Sequence, residues 1–102
     1  MNSLDRETNS FVEQKFSICI LKYNHILEFL NVCAQKGQVG FVKVNIETLN
    51  NHLYWNIVDE IFKAQKEFDP IRELVQEKVE LMIEQKVGIY FERAIAVSMS
   101  NL

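Results

Sequence analysis

The run Gly37-Gln38-Val39-Gly40-Phe41-Val42-Lys43-Val44-Asn45 decides how the chain is read, because local structure is signalled at both its ends and in its middle. Ahead of it, Ala34-Gln35-Lys36-Gly37 has the form of a helix end. A cation sits in the last turn, and a glycine free to take the left-handed cap conformation follows. Behind it, Asn45 has the side chain of an N-cap, and Glu47 would lie in the favourable first turn of a new helix. Between the two lies a β-branched and aromatic run, too short for a helix and too apolar for a surface loop. The local reading is therefore helix, strand, helix, with the rest of the chain packed around the strand.

Working upstream, residues 16–23 (FSICILKY) admit two readings. As a strand, the run is β-branched and aromatic with both faces apolar, as in a central buried strand. As a helix, Val12, Phe16, Cys19, Tyr23, Ile26, Leu30 and Cys33 recur at steps of three and four across about residues 10–36. That single helix leaves Phe11, Ile18 and Phe29 on a second face and Leu21 on the polar one. An internal echo favours the strand: Ile20-Leu21-Lys22-Tyr23-Asn24 matches Phe41-Val42-Lys43-Val44-Asn45, each ending at an asparagine before a helical pattern. A second echo sets Val12-Glu13-Gln14-Lys15-Phe16-Ser17-Ile18 beside Ile83-Glu84-Gln85-Lys86-Val87-Gly88-Ile89, each read as a helix end running into a strand. Residues 1–15 are polar and carry at most a short helix ending near Lys15.

Downstream, Ile46, Leu49, Leu53, Ile57, Ile61, Ala64 and Phe68 form one stripe of a long amphipathic helix. Asp69-Pro70 reads as its end and as the cap and first position of the next helix. That helix buries Ile71, Leu74, Val75, Val79 and Met82, and it carries Glu73, Glu77, Glu80 and Glu84 opposite. If it continued past Gly88, Phe91 and Ile95 would fall on the acidic side. Val87, Ile89, Phe91, Ile95 and Val97 instead share odd positions, the period of a strand interrupted only at Arg93, with a separate short helix after a break at Gly88 as the alternative. The expected fold is α+β: a small, partly parallel three-stranded sheet packed against helices, with an all-α bundle of three or four helices as the alternative.

The 102 residues make one domain, with ordinary globular contents of 48% apolar and 25% charged residues. A net charge of −3 and the lack of a basic patch make nucleic acid a poor partner. No apolar run approaches a membrane span, and no secretory signal is visible, so a cytoplasmic protein is expected. Cys19 and Cys33 lie in apolar runs and are expected to be buried free thiols.

No catalytic, metal or cofactor site stands out. His25 and His52 lack a partner at metal-ligand spacing. The glutamate row lacks the Glu-x-x-His motif of di-metal bundles, and a solvated helix face accounts for it. Gly37 to Gly40 precedes a strand, whereas phosphate cradles lie between a strand and a helix. No nucleophile–base pair is visible, so no enzyme and no cofactor are expected. The informative set is Trp55, Val58 and Phe62, on the side of the long helix opposite its core stripe. Either that helix is sandwiched between the sheet and another helix, or the three form a protein-binding surface. The second reading makes the chain a small non-enzymatic interaction module, self-associating as a homodimer or docking on another protein. The alternative is a nucleic-acid-binding regulator presenting Asn50, Asn51, His52, Asn56 and Lys63 from the same helix.

Overall fold

Gly37 ends one helix, and the residue after it caps another. Its φ of 81° is the left-handed cap conformation. The Gly37 N–H donates to the Ala34 carbonyl, and the Gln38 N–H reaches back to the Cys33 carbonyl, each at 3.0 Å. The Gln38 carbonyl then accepts from the Val42 N–H at 3.1 Å, which begins a helix. The computed structural model describes residues 4–100, with the side chains of the last helix up to residue 97. Among the described residues there are five α-helices and no strand: α1 (Arg6–Leu21), α2 (Asn24–Gln35), α3 (Val39–Ala64), α4 (Arg72–Ile83) and α5 (Ile89–Ser100). A 3₁₀ stretch, Lys66–Ile71, joins α3 to α4, and a π-helical turn, Glu84–Gly88, joins α4 to α5. The expected α+β sheet is absent, and the architecture is the all-helical alternative.

Each expected strand fails for a physical reason. A β-branched residue costs a helix only a few tenths of a kcal/mol, whereas burying a Val or Leu side chain stabilises by roughly 1.5–3 kcal/mol. Val42 is wholly buried in the first turn of α3, so residues 37–45 follow the packing. Asn45 lies inside α3, where its amide donates to the Phe41 carbonyl one turn back at 2.8 Å, so it caps nothing. Residues 16–23 continue α1, with Val12, Phe16 and Cys19 buried at helical spacing while Ile18 and Leu21 stand exposed. The helix read as ending near Lys15 therefore runs on to Leu21. Asn24 is the first residue of α2, whose cap position is Tyr23 without a side-chain bond.

Residues 87–97 are helical because of the π turn. Its i→i+5 bond, from the Ile89 N–H to the Glu84 carbonyl, absorbs one extra residue. Every later side chain is thereby rotated by about 100° relative to an uninterrupted α-helix. The rotation moves Phe91 and Ile95 off the acidic side and into the core with Val87. Asp69-Pro70 is not a sharp junction either. Both residues lie within the 3₁₀ stretch, and α4 starts at Arg72 without a side-chain cap. One cap is real: the Asp5 carboxylate accepts from the Thr8 N–H at 2.7 Å and opens α1.

α3 is about 39 Å long and spans most of the molecule's 50 Å length. α1 and α4 pack on α3 and on each other, while α2 packs on α3 and α5. The core stripe of α3 is buried as expected at Leu49, Leu53, Ile57 and Ile61, and α4 buries Val75, Val79 and Met82. Cys19 and Cys33 are buried and unpaired, and burial pushes the Cys19 thiol pKa up. The radius of gyration is 15.4 Å, where a compact chain of this length has about 13 Å. Among the described residues no helix is long and apolar enough to cross a membrane.

Candidate functional surfaces

An elongated bundle has less interior than a round one, and several large apolar side chains are left outside. Among the described residues, half of them lie on α2 and α3. On α2, Ile26, Phe29 and Val32 recur at steps of three and stand exposed, with Val32 opposite buried Leu30 and Ala34 and Ile26 at the edge of the buried side, one turn before Leu30. Phe29 is 58% exposed, and its ring meets that of Phe41 edge to face, with centroids 6.3 Å apart. Phe41 is 48% exposed and opens a row along α3. Val44, Thr48 and Trp55 share its side, because steps of three, four and seven return close to the same angle on a helix. The result is an apolar face that bridges α2 and the N-terminal half of α3.

The structure divides Trp55, Val58 and Phe62 among three environments. Trp55 is 52% exposed and meets Tyr54 edge to face at 5.0 Å. Val58, at 1%, lies in the core. Phe62 is half-buried, and the Arg72 guanidinium covers its ring at 3.9 Å. The apolar side of α3 is thus covered at its C-terminal end by the 3₁₀–α4 segment and open towards its N-terminus.

No family model, curated protein or solved structure matches the chain.

The polar set on α3 does not form one surface. Asn51, His52, Asn56 and Lys63 are exposed, whereas Asn50 is half-buried and Asn51 points to a different side from the other three. The Asn56 amide is engaged as donor to the Tyr23 hydroxyl. His25 is also exposed, and among the described residues no three His, Cys, Asp or Glu side chains are grouped to hold a metal ion.

A groove of about 730 Å³ runs between α3 and the junction of α4 with α5. Tyr54 and Trp55 wall it, Ile83 contributes to its apolar lining, and Glu47, Glu80 and Glu84 carry its charge. Partial burial pushes the Tyr54 hydroxyl pKa up, and the negative charge of Glu80 adds to the effect. Sequence reasoning singled out Trp55 but not Phe29, Phe41 or Val44 as surface residues. A partial signal was present: of Phe11, Ile18, Phe29 and Leu21, the residues that fit no single buried stripe, all but half-buried Phe11 are exposed.

Proposed function

We propose that this protein is a small helical interaction module that self-associates through the apolar face of α2 and α3. The observation that carries this reading is the exposed Phe29–Phe41 pair, flanked by Ile26, Val32 and Val44. An aromatic side chain offers about 150–250 Å². Five side chains near half exposure, with Trp55 further along, supply on the order of 500 Å² of apolar surface per protomer. A standard interface takes roughly 800 Å² from each partner, with an apolar centre and a polar rim. The face is large enough to form that centre, and a second copy supplies a matching apolar surface. The low net charge of −3 opposes such pairing only weakly.

Sedimentation velocity from micromolar to several hundred micromolar protein tests the proposal. The wild type should shift from monomer to dimer, and Phe29→Ser with Phe41→Ser should stay monomeric with unchanged helical circular dichroism. A wild-type chain that remains monomeric throughout, or a double variant that dimerises as well as the wild type, overturns it.

A further inference from the structure

We propose that the groove between α3 and the α4–α5 junction is a docking site for a lysine- or arginine-rich segment of another protein. This surface adjoins the apolar face of α2 and α3, sharing Thr48 and Trp55 with its far end, and is complete within one protomer, so it does not depend on self-association. Its charge is one-sided. Glu47, Glu80 and Glu84 line the groove, and the adjoining hollow of about 370 Å³ adds Glu92 and Lys43. Among the described residues the ion pairs are Arg72 with Asp69 and Lys78 with Glu13, so none of these four glutamates is in direct contact with a cation of its own chain. Four carboxylates beside one ammonium favour a cationic occupant.

The lining then selects the kind of cation. Long basic side chains lay an apolar stem on hydrocarbon and hold the charged head at a polar rim. Ile83 and the rings of Tyr54 and Trp55 provide for the stem, and the glutamates provide for the head. Two adjoining hollows along a pair of helices suit an extended chain bearing several such side chains rather than one small ion.

Trp55 is the single tryptophan of the chain and a wall of the groove, so in the monomeric Phe29→Ser, Phe41→Ser variant its fluorescence reports on this site without a contribution from self-association. An acetylated and amidated hexalysine peptide should change its emission saturably, more tightly at low than at high salt, while hexaglutamate should not. The monomeric Phe29→Ser, Phe41→Ser variant should respond as the wild type does, which separates this proposal from self-association. Glu80→Gln with Glu84→Gln should weaken binding about tenfold. Glu73→Gln with Glu77→Gln removes the same charge from the same helix outside the groove and should leave binding nearly unchanged. Equal weakening by both pairs would reduce the effect to net charge and overturn the proposal. So would an unresponsive tryptophan at millimolar peptide, or tetramethylammonium binding as tightly as hexalysine.

Discussion

The guanidinium of Arg72 lies 3.9 Å from the ring centre of Phe62, and the Asp69 carboxylate accepts a hydrogen bond from the same guanidinium at 3.0 Å. The first residue of α4 thereby lies over the last turns of α3 and covers an aromatic ring otherwise open to water. A planar cation on an aromatic face contributes about 0.5–1 kcal/mol at an exposed site. Arg72→Ala should lower stability by roughly 1 kcal/mol, part of it through lost contact of the side-chain stem. Arg72→Lys should recover only a portion, because an ammonium does not stack. The urea midpoints of the two variants measure both effects.

Gly37 and Gly40 are close in sequence and should respond to alanine with opposite signs. Gly37 holds a φ of 81°, where a side chain is strained, so Gly37→Ala should destabilise by about 1 kcal/mol. Gly40 is inside α3 with no atom within 4 Å of where a Cβ would stand. Gly40→Ala should therefore stabilise by roughly 0.5–1 kcal/mol through helix propensity. Thermal or urea unfolding of the two variants decides both signs, and a destabilising Gly40→Ala would contradict a helix at this position.

The π turn makes an unusual prediction about deletions. Removing exposed Gln85 takes out the extra residue and converts the turn to α-helix without changing which side of α5 faces the core. Removing Arg93 instead rotates buried Ile95 by about 100°, out of the core. The Gln85 deletion should keep most of the helical circular dichroism and a cooperative transition. The Arg93 deletion should lower the melting temperature substantially more.

Asp5 should make stability depend on acid. Its carboxyl pKa is held below the ordinary value of 3.8, chiefly by the hydrogen bond from the Thr8 backbone N–H. A group whose pKa is lower in the folded state contributes stability above its unfolded value, and that contribution is lost as pH falls through the folded one. The wild type should therefore lose part of its urea midpoint as pH drops below 3.8. Asp5→Asn keeps a cap acceptor but removes this component of the pH dependence, and Asp5→Ala should weaken the cap already at neutral pH.

The buried stripes of α3 and α4, the helix end at Gly37 and the two buried cysteines were legible in sequence, because each rests on spacing or on a single residue's conformational preference. Trp55 was legible as an apolar residue off the core stripe. Phe29, Phe41 and Val44 were not recognised as surface, because apolar residues on two sides of a segment suggest a buried strand when every apolar residue is assumed to be inside. Here the second side is the exposed one.

The sequence by itself determined the periodic contacts: Leu49, Leu53, Ile57 and Ile61 face inward because a helix returns to the same side every three or four residues. Only the tertiary structure decided whether residues 37–45 and 87–97 are helix or strand. In the first, burial of Val42 outweighs a β-branched preference worth a few tenths of a kcal/mol. In the second, one extra residue in the π turn rotates Phe91 and Ile95 into the core, a shift in phase that hydrophobic spacing alone reads as a change of structure. The fate of the apolar side of α3 was decided the same way: Arg72 at the start of α4 covers Phe62, whereas further along α4 leaves a groove beside Trp55 and the indole stays exposed, which is a matter of how the two helices run past each other.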